Sequence, residues 1–173
     1  SNCDIAMVHN GQVDDKVLQI MDQSSLVTDC DTEKLLRFYQ ENGEEGILRK
    51  VPGAYTLAIA DRLKKGVTVM RDYTGIKPGV LGFKDGKYIV ASEDIALRKN
   101  GGVWVEDLDP GAIYRLLPDG DYEKKEIIPG DLAFCFFEHN YQADVDSIIN
   151  RVSVKSIRTA LGEKLAEEHL PKN

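Results

Sequence analysis

The stretch with the most chemical content is Ile5-Ala6-Met7-Val8-His9-Asn10-Gly11, an apolar run that stops at an Asn-Gly pair before a charged, helix-like pattern. Apolar runs of this length closed by a turn signal read as buried strands, so the pair falls at the edge of a core. It sets a side-chain amide beside a flexible backbone N–H, two donors suited to an oxygen that gains negative charge during a reaction. A plain turn accounts for the dipeptide equally well, because Asn-Gly is the strongest short hairpin signal. Asp31, in the polar lead Thr28-Asp29-Cys30-Asp31-Thr32, also has two readings. It is either a helix N-cap or a carboxylate that holds a cation. Arg71 and Asp72 read as an ion pair or turn anchor, and Tyr55 as core. The familiar phosphate-loop, zinc-helix and serine-elbow signatures are absent, and the three histidines are too scattered to suggest a metal set.

The elements that must position these residues come in three blocks. Helices come first: Asp14 and Asp15 open one carrying Val17, Leu18 and Met21. A second carries Leu35, Leu36 and Tyr39 up to Gly43, and a short piece through Ile47 and Leu48 ends before Pro52. From Gly53 the period changes to two, predicting strands over 54–61, 67–71, 80–83, 88–91, 103–105 and 113–117, with a last, strongly apolar strand over 132–137. Asp85-Gly86 is a hairpin turn, and a brief helix covers 94–98. Val154, Ile157, Leu161 and Leu165 then recur at helical spacing until Pro171. The layout is α+β, without βαβ alternation.

With 173 residues, 42% hydrophobic and 29% charged, the chain has the size of one globular domain. A formal net charge of −7 argues against sequence-independent binding to nucleic acid or an anionic membrane. Lys155, Arg158 and Lys164 read as a solvated helix face. Cys3, Cys30 and Cys135 form neither a disulfide framework nor a zinc site, which fits a reducing, cytoplasmic setting. No run reaches membrane-span length. Ser1-Asn2 reads as an appended remnant, and a start inside a core strand points to a fragment.

The succession His9-Asn10-Gly11, Asp31-Thr32-Glu33, Gly53-Ala54-Tyr55-Thr56-Leu57, Arg71-Asp72-Tyr73-Thr74-Gly75-Ile76-Lys77-Pro78, Leu81-Gly82 and Val90-Ala91-Ser92-Glu93 resembles the class II glutamine amidotransferases, which are N-terminal-nucleophile hydrolases. Within them it is most similar to the amidophosphoribosyltransferase branch, through the Gly-Ile-Lys-Pro run, Ala91-Ser92-Glu93, Phe137-Glu138 with Tyr141, Asp146-Ser147-Ile148, and Arg158 with Gly162, Leu165 and Ala166. The resemblance implies a four-layer αββα sandwich of two antiparallel sheets between helices, incomplete at its N-terminus. Residues 1–141 would be the larger, C-terminal part of the amidotransferase domain. Residues 142–173 would be a linker and the first helix of a phosphoribosyltransferase-like domain.

The implied activity is hydrolysis of glutamine to glutamate and ammonia through a thioester on an N-terminal cysteine, with ammonia passed to phosphoribosyl pyrophosphate in purine synthesis. By position, Asn10 and Gly11 match the oxyanion hole, and Asp31 matches the carboxylate that grips the substrate's α-ammonium. The glutaminase part is expected to need no cofactor, Mg²⁺ being reserved for the absent phosphoribosyltransferase domain. Cys135 stands where iron–sulfur members place one cluster ligand, but a lone cysteine between Phe134 and Phe136 reads as a small buried apolar residue, and no cluster is expected. The implied partners are glutamine, the missing N-terminal segment, the phosphoribosyltransferase domain and further copies in a homo-oligomer. Two departures stand out. The family's nucleophile has no counterpart, since Cys3 lies on the same predicted strand as Asn10, so this chain alone is expected to be inactive. Gln142-Ala143-Asp144-Val145-Asp146 replaces the family's Phe-Ala-Arg-Pro-Asp. That keeps open a sugar-phosphate acceptor and a non-catalytic regulatory module.

Overall fold

The structure, a computed structural model, describes residues 4–14, 16 and 26–169. The readings on Cys3, on the helix through Val17, Leu18 and Met21, and on Pro171 lie outside the described residues. Strand β1 (Ile5–Val13) pairs antiparallel with β2 (Gly53–Asp61), and helix α1 (Asp31–Lys50) lies between them in sequence. Gly43 interrupts α1 with φ +69° and ψ −176°, so the sequence's glycine stop appears as a break between two helical pieces. Strands β3 (Val67–Arg71), β4 (Val80–Lys84), β5 (Lys87–Ala91), β6 (Val103–Asp107), β7 (Ala112–Leu116) and β8 (Tyr122–Glu126) follow, with the short helix α2 (Asp94–Lys99) after β5. Asp85 (φ +50°) and Gly86 (φ +77°) make the predicted turn between β4 and β5.

Two sheets form, ordered β1-β2-β3-β7-β8 and β5-β4-β6. Alternation along the strands gives the larger sheet two apolar faces. Leu57, Ile59, Met70 and Ile113 pack under Leu35, Phe38, Ile47 and Leu48 of α1. Val69, Tyr114 and Leu116 pack against Leu81 of the second sheet. Helix α2 covers that sheet's other face, with the Leu97 side chain 2.7 Å from where a Cβ on Gly82 would stand. The layers are therefore helix, sheet, sheet, helix. Each fully buried Leu or Ile contributes about 1.5–3 kcal/mol, so these interfaces, more than helix propensity, hold the elements in place.

Several expectations need correction. β1 does not end at Asn10-Gly11 but runs on to Val13, so the pair is strand, not turn. Residues 132–137 form no strand: they run alongside 73–74 with two main-chain bonds, Asp131 N–H to Tyr73 O and Ala133 N–H to Thr74 O, both 2.8 Å. β8, a charged Tyr-Glu-Lys-Lys-Glu run that period-two reading passed over, occupies the sheet edge instead. Phe134, Phe136 and Phe137 are consequently exposed. Beyond a π-helical turn (Glu138–Gln142), β9 (Ile148–Ile149) and β10 (Val152–Ser153) form a small hairpin leading into α3 (Val154–Glu168). Of the expected apolar face of α3 only Val154 is buried, and Leu161 and Leu165 are exposed. Arg158 is not a solvated cation: it donates to His139 O (2.9 Å) and Ala143 O (2.8 Å).

Candidate functional site

The backbone bonds at both ends of β1 fix which of its amides are free. Arg62 N–H donates to Asp4 O and Asp14 N–H to Pro52 O, each at 2.8 Å. The register between these bonds is unbroken, from Ile5 opposite Asp61 to Val13 opposite Gly53. In an antiparallel ladder hydrogen-bonded and non-hydrogen-bonded pairs alternate, so the even positions of β1 bond to β2. Asn10 is thus hydrogen-bonded to Thr56, whereas Gly11 and Tyr55 are a non-bonded pair. Tyr55 agrees: its N–H donates to Asp72 Oδ1 and its carbonyl accepts from Asp72 N–H, both 3.0 Å and both away from β1. The Gly11 N–H therefore projects from the outer edge of β1, where no strand pairs among the described residues. Only glycine fits there, because its φ is +145° and a Cβ would stand 2.1 Å from Ala54 O.

The Asn10 side chain lies on the face toward the second sheet. Its amide makes no hydrogen bond among the described residues and lines a cavity of about 200 Å³ with Val8, Thr56, Ala58, Val90 and Ser92. β5, which supplies Val90, is a terminal strand of its own sheet, so the free edges of both sheets border this cavity.

Asp31 lies at the start of α1, against His9 of β1. Cys30, not Asp31, occupies the N-cap of α1, and its side chain makes no capping bond. The N-cap reading of Asp31 is therefore replaced: it is the first helical residue, with Oδ1 3.7 Å from His9 Nδ1. His9 is 3% exposed and also approaches Thr32 Oγ1 at 3.1 Å, while Thr32 Oγ1 lies 3.4 Å from Asp31 Oδ1. A proton on Nδ1 donated to Thr32, which donates on to Asp31, satisfies all three groups. Burial lowers the His9 pKa and Asp31 opposes the shift, so the imidazole is neutral at pH 7. Its Nε2 is buried with no partner among the described residues. The loop before α1 is fastened by Glu33, whose carboxylate accepts from Val27 N–H (2.9 Å), Thr28 N–H (2.8 Å) and Thr28 Oγ1 (2.6 Å).

Arg71 and Asp72 are anchors. Arg71, 1% exposed, donates to Lys77 O (2.8 Å), Leu108 O (2.9 Å), Gly75 O (2.5 Å) and Asn150 Oδ1 (3.2 Å). Asp72 accepts from Tyr55, Thr74 and Gly75. The loop they shape supports Thr56, whose Oγ1 lies 3.2 Å from Lys77 O and 3.1 Å from Pro78 O, directly beside Asn10 in the sheet. Asn10 and Gly11 are neighbours on β1, and Asp31 lies against His9, the residue before them, whose strand partner Leu57 packs under α1. The position of His9 beside the Asn-Gly pair is the signal the sequence offered.

Cys135 is elsewhere. It is half-buried, not buried, and His139 Nδ1 approaches its carbonyl at 3.3 Å. No group of three or more His, Cys, Asp or Glu among the described residues is arranged to hold a metal.

Two stacked antiparallel sheets between helices, with a glycine-bearing strand edge facing the gap between them, are the fold of the N-terminal-nucleophile hydrolases. The chain belongs to the glutamine amidotransferase domain family, whose model matches residues 2–129. It is 32% identical to an amidophosphoribosyltransferase of Archaeoglobus fulgidus over 95% of this chain and 38% of that protein. To the amidophosphoribosyltransferase of Escherichia coli it is 34% identical, over 69% of this chain and 25% of the relative. Among solved structures, glutamine phosphoribosylpyrophosphate amidotransferase from B. subtilis, complexed with ADP and GMP, superposes with a TM-score of 0.85. That match is 25% identical and covers 99% of this chain and 40% of the other. The chain thus spans well under half the length of these relatives. Among the described residues no helix is long and apolar enough to cross a membrane.

Proposed function

We propose that this chain is the glutaminase part of an amidophosphoribosyltransferase-like enzyme, releasing ammonia from glutamine for transfer to phosphoribosyl pyrophosphate. The observation that carries the reading is the pairing parity of β1, which leaves the Gly11 N–H directed off the sheet edge beside the unbonded Asn10 amide. An upstream segment added along β5 fills the cavity between the sheets and presents an N-terminal cysteine there. Its sulfur attacks the glutamine amide carbon and its proton passes to the N-terminal amine. Asn10 Nδ2–H and Gly11 N–H take up the charge that develops on the carbonyl oxygen. Collapse expels ammonia, with the proton returned from the amine, and water then hydrolyses the thioester to glutamate and free thiol. Asp31 holds the α-ammonium, oriented by Thr32 and His9. None of these steps needs a cofactor, and Mg²⁺ serves the phosphoribosyl transfer in the further domain. Residues 142–173 link to that domain, and the whole enzyme is a homo-oligomer in the cytoplasm.

The test uses the intact enzyme with its N-terminal cysteine. Asn10→Ala removes a donor used only as the oxyanion forms, so kcat falls roughly 10²–10³-fold with KM little changed. Asp31 meets the same charge in ground and transition states, so Asp31→Asn raises KM roughly ten- to a hundredfold. Unchanged glutaminase kinetics in the folded Asn10→Ala enzyme would refute the oxyanion assignment, and a silent Asp31→Asn would refute the substrate assignment.

A further inference from the structure

The Asn10 carboxamide carries two N–H donors and one acceptor on a rotatable bond, and only its nitrogen end serves a developing oxyanion. Nothing on β1 chooses between the two ends, because the amide makes no hydrogen bond among the described residues. The neighbour able to choose is Thr56. It stands directly opposite Asn10 on β2, and both side chains line the same cavity. Directly paired positions have Cβ atoms about 4.5–5.5 Å apart, which brings an amide and a hydroxyl within reach of one hydrogen bond.

The Thr56 side chain is locked on two sides. It is 8% exposed, and its Oγ1 lies 3.2 Å from Lys77 O and 3.1 Å from Pro78 O. A Cβ on Gly79 would stand 2.8 Å from the Thr56 methyl, so the methyl occupies the space this glycine leaves. Lys77 O is itself pinned, since it also accepts from Arg71 Nε at 2.8 Å. A hydroxyl has a single proton, and here the two loop carbonyls draw it away from Asn10. Pro78 is buried, and its carbonyl has no other donor among the described residues. Turning the proton toward Asn10 would leave that carbonyl unsatisfied, which costs more than one exposed hydrogen bond returns. What Thr56 presents to Asn10 is therefore an oxygen that accepts.

An acceptor at this point discriminates between the ends of the amide. With Asn10 Oδ1 toward Thr56, two oxygens would meet with no proton between them. With Nδ2 toward Thr56, one N–H is bonded and the other is left for the substrate oxygen. We propose, on the oxyanion reading of Asn10, that Thr56 is a positioning residue of the glutaminase. Its Oγ1 accepts from one Asn10 Nδ2–H and thereby aims the second at the oxyanion. Arg71 contributes at one remove, by fixing a carbonyl to which Thr56 is tied. The other polar side chains at the cavity are not on the strand beside Asn10. His9, next along β1, meets Thr32 on the opposite face, and Ser92 lies across the gap, just beyond β5 of the other sheet.

The test is a cycle of Thr56 and Asn10 variants in the intact enzyme with its N-terminal cysteine, assayed for glutaminase kcat and KM. Thr56→Val removes the oxygen and should lower kcat roughly three- to tenfold, with KM within about twofold of the parent. Thr56→Ser keeps the oxygen and should hold kcat within about twofold of the parent. In the Asn10→Ala background Thr56→Val should lower kcat no further, since the amide it aims is gone. The Val methyl stands where two carbonyls approach Oγ1. Should that variant not fold, Thr56→Ala removes the same oxygen without the clash and is held to the same expectations. The proposal is overturned if the folded variant keeps the parent kcat, if it changes KM alone, or if it slows the Asn10→Ala enzyme as much as the parent. Failure of the oxyanion reading looks different: Asn10→Ala itself then leaves kcat unchanged, and the role of Thr56 falls with it.

Discussion

Gly11→Ala tests the strand edge on which the oxyanion reading depends. The added methyl would stand 2.1 Å from Ala54 O and 2.7 Å from Tyr55 Cα, so β1 must retreat from β2 by about an ångström or more to reach an ordinary contact. The alternative is rotation out of φ +145°, which breaks the register and swings the Gly11 N–H away from its direction. Backbone strain of this kind costs on the order of 1–3 kcal/mol, and overpacking adds about 1–3 more. About 4 kcal/mol is the expected loss, which for a domain of this size lowers Tm by roughly 8–16 °C. Calorimetry reads the total. Amide exchange locates it, since the Asn10, Gln12 and Thr56 amides should lose protection before those of β3 and β7. By contrast Asn10→Ala, which removes an amide without a hydrogen-bond partner among the described residues, should cost well under 1 kcal/mol. A Gly11→Ala chain that melts within about 2 °C of the parent with β1 still protected would refute the pairing parity and the direction of the Gly11 N–H.

Three further outcomes follow from the same geometry. Burial holds the His9 pKa below its ordinary 6.5, so the unfolded chain takes up that proton first. Stability is therefore full above about pH 6.5 and declines as pH falls below it, and His9→Gln should flatten that slope in denaturant titrations. An unaltered slope would show that His9 is not the titrating group. Lys77 Nζ reaches Glu138 Oε1 and Gln142 Oε1, each at 2.5 Å, and Glu138 is 5% exposed. Lys77→Met leaves a buried carboxylate unpaired and should cost about 2–3 kcal/mol by chemical denaturation, part of it recovered by adding Glu138→Leu. Full stability in the single variant would mean that the pair contributes nothing. Cys135→Ala, at a half-buried position without metal-ligating neighbours, should change stability by less than about 1 kcal/mol and leave metal content unchanged by elemental analysis. Stoichiometric iron lost in that variant would reverse the reading of Cys135.

Local rules carried far in this chain. Period-two alternation from Gly53 onward placed β2 to β7, because each strand has one face on each of two apolar layers and its residues must alternate accordingly. Turn chemistry located Asp85-Gly86, and glycine's freedom located the break in α1. The same rules failed where a partner elsewhere in the chain decided the outcome. Residues 132–137 have the composition of a core strand, yet the main chain there bonds to residues 73–74 and not to a sheet edge, while β8, a run of charges that suits an exposed edge, pairs with β7. Asn10-Gly11 has the composition of a turn, yet pairing with Thr56 and Tyr55 extends it as strand. Residue types alone supplied the amide, the glycine and the carboxylate as candidates. Only the tertiary structure set Asp31 against His9, a separation of 22 positions closed to 3.7 Å, and turned one particular N–H outward. The physical reason is that hydrogen-bond direction at a sheet edge depends on pairing parity, and parity belongs to two strands at once.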